Sequence, residues 1–261
     1  MKLDDTVALV TGAGRRLGRA IALELARAGA HVVVHYGRSR EAAAATAGEI
    51  RGLGREALAV SADLRRPDAI EALFVAVRDT FARLDVLVNS AASFQRAPFD
   101  EITAEAWDEV QAVNVRAPFL CTQHGVRMMR ETADRPGSLG EARVPGSVVN
   151  LADLAGVTTW SGYVHHGVSK AGVLHLTRTT ARELGAEARV NAIIPGPILP
   201  PPGEDPDDDA WRARGERVPL GRTGEPAHVA RAVVFLAESD YITGAHLFVD
   251  GGEHLLPGGR A

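Results

Sequence analysis

Cysteine, lysine and long apolar runs are scarce in this chain of 261 residues, and each scarcity narrows the class of protein. Cys121 is the sole cysteine, so no internal disulfide can form and a reducing compartment is expected. No apolar run reaches the roughly 20 residues that span a bilayer, and residues 1–5 do not resemble a secretory signal peptide. The net charge of −4 argues against a nucleic acid or an anionic membrane as partner. We therefore expect a cytoplasmic protein.

Lysine is restricted to Lys2 and Lys170, although arginine is abundant. A single interior lysine in such a chain indicates a task that needs a compact ammonium group. The alternative is that Lys170 is an ordinary surface residue kept by chance.

The most informative positive feature is a glycine-rich turn, Thr-Gly-Ala-Gly-Arg-Arg-Leu-Gly, at residues 11–18. It follows the apolar run Val7–Val10 and precedes an Ala/Leu-rich stretch at residues 20–28. Strand, glycine turn and helix in this order predict the phosphate cradle of a dinucleotide-binding βαβ unit. Two adjacent arginines in the turn indicate extra negative charge on the cofactor, or a polar substrate that contacts the same loop.

The end of the predicted second strand lacks an acidic residue, which sites for NAD use to hold the ribose 2′-hydroxyl. Arg38 and Ser39 stand there instead, and Arg15 lies in the nearby glycine turn. These groups can hold a 2′-phosphate through charge-assisted hydrogen bonds. The sequence thus favours NADP(H) over NAD(H), against the alternative that Arg38 is an ordinary exposed loop residue.

Short β-branched runs alternate with Ala/Leu/Arg-rich helical patterns, which is typical of a parallel sheet covered by helices on both faces. The predicted strands are Val7–Val10, His31–His35, Ala57–Ser61, Val86–Asn89, Ser147–Leu151, Val190–Ile194 and His246–Asp250. The predicted helices are Arg15–Ala28, Arg40–Leu53, Pro67–Phe81, Thr103–Arg130, Val164–Leu184 and Pro226–Ala237. The fold class is therefore α/β, a doubly wound Rossmann fold with a seven-stranded sheet.

No repeat or linker divides the chain, so residues 1–261 are predicted to form a single domain. Residues 132–145 are interpreted as a surface loop. Residues 195–217 are rich in proline and contain a short helical pattern around Trp211. Because ligand lids of open α/β sheets follow the carboxyl ends of strands, this second segment is predicted to be a substrate lid.

Small and polar residues also follow the other predicted strands, at the edge of the sheet that would hold the cofactor. They are Asp63, Leu64, Asn89, Ser90, Ala91, Pro195 and Gly196. Each is a weak signal alone, whereas together with Asn114 they indicate one continuous binding edge.

Over almost its whole length the chain resembles the short-chain dehydrogenase/reductase family. The motifs that carry the resemblance are Thr11-Gly12…Gly18, Asp63-Leu64, Asn89-Ser90-Ala91, Asn114, Ser169-Lys170, Pro195-Gly196 and Thr243-Gly244…Val249-Asp250-Gly251-Gly252. Within the family the chain is most similar to the pteridine reductases. The resemblance implies a seven-stranded doubly wound sheet, NADPH, and a homo-oligomer, either a tetramer or a dimer.

Four features carry the likeness to pteridine reductases. Arg16 stands where most of the wider family has glycine, and Asp153 stands where it has a catalytic serine. Phe94 matches the phenylalanine that holds a pterin against the nicotinamide, and residues 35–39 are similar to the NADPH-binding end of the second strand. Arg16 and Phe94 are therefore the predicted substrate-binding residues.

One departure concerns the catalytic pair, which in the family is a tyrosine four residues before a lysine. Lys170 is present, but His166 occupies the tyrosine position and Tyr163 lies three residues too early. In addition, Ala92 stands where pteridine reductases commonly have a serine. A protonated His166 held by Asp153 could act as a general acid, and the charge of Lys170 would oppose that protonation.

The resemblance and the local patterns together define the predicted site. Asp153, His166, Lys170 and Asn114 are the predicted catalytic residues, with Asn114 supporting a proton relay. The predicted cofactor-binding residues are Gly12, Arg15, Arg16, Leu17, Gly18, Tyr36, Arg38, Ser39, Asp63, Leu64, Asn89, Ser90, Ala91, Lys170, Pro195, Gly196 and Ile198. No metal site is predicted.

We expect an NADPH-dependent oxidoreductase that transfers hydride to a pterin-like or other planar carbonyl or imine substrate. One alternative is a general carbonyl or 3-oxoacyl reductase on the same scaffold. The other is a protein that binds NADP(H) without turnover, because its catalytic tyrosine is missing.

Overall fold

The computed structural model describes residues 1–133, 146–200, 203, 205 and 208–256. Within them the strands are β1 (Val7–Val10), β2 (His31–Tyr36), β3 (Ala57–Ser61), β4 (Val86–Asn89), β5 (Gly146–Leu151), β6 (Ala188–Pro195) and β7 (His246–Val249). All seven form one parallel sheet in the order β3-β2-β1-β4-β5-β6-β7. This confirms the predicted doubly wound α/β fold.

Helices cover both faces of the sheet. They are α1 (Arg16–Arg27), α2 (Arg40–Gly52), α3 (Pro67–Phe81), α4 (Ala104–Gln111), α5 (Ala117–Ala133), α6 (Val164–Leu184), α7 (Asp209–Glu216) and α8 (Pro226–Glu238). One core joins the sheet to α1, α2 and α8, and a second joins it to α3 and α5. The central strands are buried on both faces, which explains their nearly continuous runs of valine and leucine.

The predicted boundaries hold to within one or two residues for most elements. The helix predicted over Thr103–Arg130 is wrong as one unit, because α4 and α5 are separated by a π-helical turn at Ala112–Arg116. This turn contains Asn114, and such insertions often lie at functional sites. The predicted short helix around Trp211 is present as α7, whereas residues 134–145 of the predicted surface loop lie outside the described residues.

Arg189 on β6 holds the end of α8 against the sheet. Its buried guanidinium donates to the carbonyls of Leu236 and Ala237 at 2.7 Å each, and also to the carbonyl of Ser239. These carbonyls lie at the C-terminus of α8, where the helix itself offers no partners. The strand order reverses between β1 and β4, and ligands of such sheets bind at the carboxyl ends of the strands on either side of this point.

None of the described helices has the length and apolar character needed to cross a membrane.

Candidate active site

The glycine turn leaves β1 at the carboxyl edge of the sheet and leads into α1. Gly12 has φ +69°, and a Cβ on Gly18 would lie 2.3 Å from the Gly12 carbonyl oxygen, so neither position accepts a side chain without rearrangement. Arg16 also has a positive φ of 53°, which strains a residue other than glycine. The turn is therefore held in a conformation that glycine at its two ends makes possible.

The N-terminus of α1 is open toward the space above the turn. Arg15 precedes α1 without forming a side-chain capping bond, and no acidic residue lies in the first turn. The free backbone N–H groups and the positive end of the helix dipole can therefore receive a pyrophosphate. Thr11 joins the turn to the end of β4, because its hydroxyl accepts from the backbone N–H groups of Ser90 and Ala91 at 2.9 and 3.0 Å.

A cavity of about 530 Å³ adjoins the turn. Five of the predicted cofactor-binding residues line it: Gly12, Arg38, Asp63, Leu64 and Ala91. Asp63 pairs with Arg65 at 2.7 Å, and the hydrogen bond from Arg65 lowers the pKa of Asp63 to about 2. Arg38 is exposed, and within the described residues its guanidinium has no hydrogen-bonding or ionic partner, which leaves it available for a phosphate.

The structure assigns the side chain of Asn89 to the sheet. Its amide donates to the Asn150 side chain at 2.8 Å, and Asn150 in turn donates to Thr177 at 2.9 Å. Contact of Asn89 with a cofactor stays a prediction. Because the side chain is bonded to Asn150, only the backbone of Asn89 could make that contact.

Three of the four predicted catalytic residues meet at the end of β5 and the start of α6. His166 Nε2 lies 2.7 Å from Asp153 Oδ2. The Asp153 side chain is 20% exposed, whereas that of His166 is 1% exposed. Burial opposes ionisation of Asp153, but the hydrogen bond from His166 and the charge of Lys170 outweigh it and lower the pKa of the carboxyl. The pair is thus a partly exposed carboxylate beside a buried imidazole.

The other nitrogen of the His166 ring also faces an oxygen. Nδ1 lies 3.3 Å from the Ser93 carbonyl. A carboxylate and a carbonyl accept hydrogen bonds but do not donate them, so a ring protonated on both nitrogens satisfies both contacts. The site can therefore hold a transferable proton on His166.

Lys170 is buried one helical turn after His166, where its Nζ donates to the Leu151 carbonyl at 2.9 Å. Burial lowers the pKa of Lys170, and the negative charge of Asp153 opposes this shift.

Asn114 does not touch the other three predicted catalytic side chains directly. Its amide accepts from Ser93 N at 2.7 Å and donates to Ser93 O and to Ser169 Oγ at 2.9 Å each. Asn114 consequently fixes the segment that carries the carbonyl facing His166.

Aromatic rings form the outer wall of the site. Phe94 is 53% exposed. Its ring centroid lies 4.7 Å from that of His166, with the two rings nearly perpendicular, and 4.9 Å from that of Tyr163. Trp160 packs against Tyr163 at 5.9 Å. These three rings, Phe94, Tyr163 and Trp160, are called the aromatic wall below. They offer an apolar surface beside His166.

The first part of the predicted lid contacts the glycine turn. Arg16 Nη2 donates to the carbonyl of Pro200 at 2.6 Å. Gly196 approaches Asp250 so closely that an added Cβ would lie 2.6 Å from the Asp250 Cβ, and Ile198 borders a second cavity of about 550 Å³. Residues 201, 202, 204, 206 and 207 of the predicted lid lie outside the described residues.

The structural roles of His35, Ser93, Tyr163 and Ser169 are not predictable from the local sequence. His35 and Ser93 contact predicted site residues through space, and no local pattern signals those contacts. Tyr163 was excluded by its spacing from Lys170, although it joins the aromatic wall. Ser169 belongs to a family motif, and its bond to Asn114 could have been found only from the fold.

Comparison with known proteins shows which family the chain resembles. A family model described as "Enoyl-(Acyl carrier protein) reductase" matches residues 12–254. The "3-oxoacyl-[acyl-carrier-protein] reductase FabG" of Staphylococcus epidermidis is 34% identical over 252 residues, covering 95% of this chain and 98% of the relative. A short-chain dehydrogenase from Burkholderia cenocepacia, solved in complex with NADP, has TM-score 0.84 and 31% identity, with 97% and 99% of the two chains covered. The angucycline C-6 ketoreductase LanV, solved with bound NADP, has TM-score 0.85 and 31% identity, with 98% of each chain covered.

The fold, the glycine turn and the lysine on α6 define a nucleotide-dependent oxidoreductase. The chain belongs to the short-chain dehydrogenase/reductase family. The exposed Arg38 side chain and the open N-terminus of α1 fit the NADP that these two neighbours bind. When bound, NADP(H) donates or accepts a hydride.

Proposed function

We propose that the protein is an NADPH-dependent reductase of planar carbonyl or imine compounds in which Asp153 and His166 supply the proton. One observation carries this proposal: the two side chains lie 2.7 Å apart, and the carboxylate reaches the surface while the imidazole is buried. In the family a tyrosine contacts the substrate oxygen. Here His166 takes its place, and Asp153 becomes the residue that contacts substrate.

The proton route follows from this arrangement. As hydride reaches the substrate carbon, the π electrons move to the substrate oxygen or nitrogen, which becomes basic. Asp153 is ionised and His166 protonated before the step, so the Nε2 proton of His166 passes to the Asp153 carboxylate and from there to that atom. The products are an alcohol or amine, an ionised Asp153 and a neutral His166, which regains a proton from solvent. Atoms and charge balance without a further reactant.

Lys170 and Asn114 support this route without carrying the proton. The ammonium group of Lys170 lowers the pKa of Asp153, so the carboxylate returns after each transfer. In the family the equivalent lysine also binds the nicotinamide ribose, and we assign the same role to Lys170. Asn114 holds Ser93, whose carbonyl oxygen keeps the His166 ring in place.

The sizes of the two main contributions to the rate allow turnover without a tyrosine. A positioned general acid contributes roughly 10²–10⁴-fold to a rate. Correct placement of hydride donor and acceptor contributes up to about 7–11 kcal/mol. A weaker proton donor therefore slows the reaction, and it does not abolish it.

The aromatic wall supports a planar substrate. Phe94 is half exposed and contacts His166, the partner of Asp153, and stacking on an aromatic ring contributes about 0.5–1.5 kcal/mol beyond the burial of area. A pterin-like compound belongs to this class, with Arg16 available to its polar edge. Arg16 would keep its bond to Pro200, because a guanidinium has five N–H donors.

A second candidate is reduction of a 3-oxoacyl thioester. The observation that favours it is the likeness to FabG over 95% of the chain. The two candidates share the proton route and differ in their use of the aromatic wall.

Substrate-dependent oxidation of NADPH tests the proposal. The panel contains a dihydropterin, a planar aromatic ketone, a quinone and acetoacetyl-CoA as the oxoacyl thioester. Turnover of the planar compounds supports the main proposal, and turnover of the thioester alone supports the second candidate. If wild type oxidises NADPH with none of them while His166→Tyr does, the natural protein is a binder without turnover.

Phe94→Ala separates the two candidates, with Phe235→Ala on α8 as the matched control. The two phenylalanines are 53% and 52% exposed, so loss of either costs similar surface. We expect Phe94→Ala to lower kcat/KM for a planar substrate by about tenfold, which is the size of one stacking contact. In the same variant, kcat/KM for the thioester should change by less than about threefold. An equal loss for both substrates, or any loss in Phe235→Ala, contradicts the role of the aromatic wall.

A further inference from the structure

The side chain of His35 lies beneath the glycine turn and binds it directly. The Gly12 N–H donates to His35 Nδ1 at 3.1 Å, and His35 Nε2 lies 3.0 Å from the Ala62 carbonyl. The carbonyl of His35 also accepts from Ala13 N at 2.8 Å. With its side chain 2% exposed, His35 connects the turn after β1 to the end of β3.

These two contacts require one protonation state of the ring. A backbone N–H can only donate, so Nδ1 must keep its lone pair to accept from Gly12. A carbonyl can only accept, so Nε2 must carry the proton that it donates to Ala62. A proton added at Nδ1 would set two N–H groups against each other and break the bond to the turn.

We propose that His35 is a positioning residue for the cofactor: as the neutral Nε2–H tautomer it holds Gly12 in the phosphate-binding turn, and protonation of His35 releases the turn and weakens NADP(H) binding. The sequence predicts only a strand at His35 and places cofactor binding on residues that follow it, among them Tyr36, Arg38 and Ser39. The protonation state of His35 would then set the affinity for NADP(H), whichever substrate is reduced.

The surroundings of His35 support the neutral form. Burial lowers the pKa of His35, and the hydrogen bond to the Ala62 carbonyl opposes this shift. The charged residues that line the adjoining cavity are Arg38 from the loop after β2, Asp63 and Arg65 from the loop after β3, and Glu109 from α4. The glycine turn adds the exposed Arg15 and Arg16. Asp63 is paired with Arg65, so its negative charge is already balanced.

Two effects of protonation have opposite signs, which makes the proposal testable. A cationic ring would attract the phosphates of the cofactor and tighten binding. Loss of the bond to Gly12 would deform the turn and weaken binding. The proposal requires the second effect to dominate.

The experiment compares wild type with His35→Asn by calorimetric titration with NADP⁺, which tolerates acid better than NADPH. The Oδ1 atom of asparagine can accept from Gly12 N as Nδ1 does, but it does not titrate. The 2′-phosphate titrates near pH ~6 in both proteins, so its effect cancels in the ratio of the two dissociation constants. Far-UV circular dichroism at each pH verifies that both proteins are folded.

We expect the ratio of Kd in wild type to Kd in His35→Asn to rise at least threefold between about pH 8 and about pH 5. One group with the ordinary histidine pKa of about 6.5 limits this rise to about thirtyfold. A constant ratio, or a ratio that falls in acid, overturns the proposal. At about pH 8, where the ring is neutral, His35→Leu lacks the acceptor, and we expect it to bind NADP⁺ at least tenfold more weakly than His35→Asn.

If the variants do not fold, a measurement on wild type shows which ring nitrogen of His35 carries the proton. Long-range proton–nitrogen NMR spectra report which ring nitrogen carries hydrogen. We expect the Nε2–H tautomer for His35 at neutral pH and a titration midpoint that NADP⁺ lowers. The Nδ1–H tautomer, or a midpoint that NADP⁺ raises, contradicts the proposal.

Discussion

Arg16 at the start of α1 donates to the carbonyl of Pro200 in the lid at 2.6 Å, across 184 residues of sequence. The glycine turn and the substrate lid are thereby joined by one side chain. The same residue has a positive φ of 53°, a conformation that costs a residue other than glycine about 1–2 kcal/mol. A strained residue thus connects the glycine turn with the start of the predicted lid.

Arg16→Gly should separate stability from activity. Relief of the strain stabilises the fold, whereas the freedom that glycine gains in the unfolded state destabilises it, so we expect the thermal midpoint to fall less than in Arg15→Gly. Loss of the bond to Pro200 should lower kcat/KM by about tenfold or more, because a charged hydrogen bond contributes about 1.5–3 kcal/mol. Differential scanning fluorimetry and steady-state kinetics with NADPH measure the two effects.

Arg15→Gly is the matched control for this change. Arg15 has an extended backbone with φ −157°, so glycine relieves no strain there and should lower the thermal midpoint. If Arg16→Gly destabilises the protein as much as Arg15→Gly does, strain at Arg16 is not significant.

Arg38→Ala should reduce affinity for NADPH much more than for NADH. The guanidinium of Arg38 lies on the cavity beside the glycine turn, and a charged bond to a 2′-phosphate is expected to contribute about 1.5–3 kcal/mol. That energy corresponds to about 10–100-fold in Kd for NADPH. NADH lacks the phosphate and should lose less than about twofold on the same scale.

Arg40→Ala provides the comparison, since Arg40 is exposed at the first position of α2 and does not line that cavity. Fluorescence titration with both nucleotides gives the four dissociation constants. Equal losses for NADPH and NADH in Arg38→Ala would mean that Arg38 does not recognise the phosphate.

Local patterns were sufficient for the sheet and the glycine turn, because each depends on residues that are close in sequence. The π-helical turn around Asn114 was not predictable, since its residues continue the helical pattern of α4 into α5. Contacts such as Gly12 with His35, or Arg16 with Pro200, join residues 23 and 184 positions apart. Their partners are backbone atoms, which leave no trace in residue type. The fold is therefore accessible from the sequence and the site residues can be proposed from it, whereas their hydrogen-bonding partners cannot.

Arg189→Ala should destabilise the fold without altering the site. The guanidinium binds three carbonyls at the end of α8, and its side chain is almost completely buried. Removing it leaves those carbonyls without their partner and opens a cavity, which we expect to cost about 2–4 kcal/mol of unfolding free energy. Urea denaturation measures the loss, and kcat per folded molecule should be unchanged.

Arg231→Ala is the control on α8, because Arg231 is exposed on the same helix. Its unfolding free energy should change by less than about 0.5 kcal/mol, as is usual for surface substitutions. A similar small loss in Arg189→Ala would show that the three carbonyls find other partners.

The last prediction concerns Asp153 and His166 as one proton-delivering unit. Asp153→Asn and His166→Gln should each lower kcat by about 10²–10⁴-fold, the range for loss of a general acid. Because the proton must pass through both side chains, the double variant should be no slower than the slower single variant. Affinity for NADP⁺ serves as the internal control and should change less than about threefold, since neither side chain lines the cavity beside the glycine turn. Losses that multiply in the double variant would show that the two residues act independently, and would refute a shared proton route.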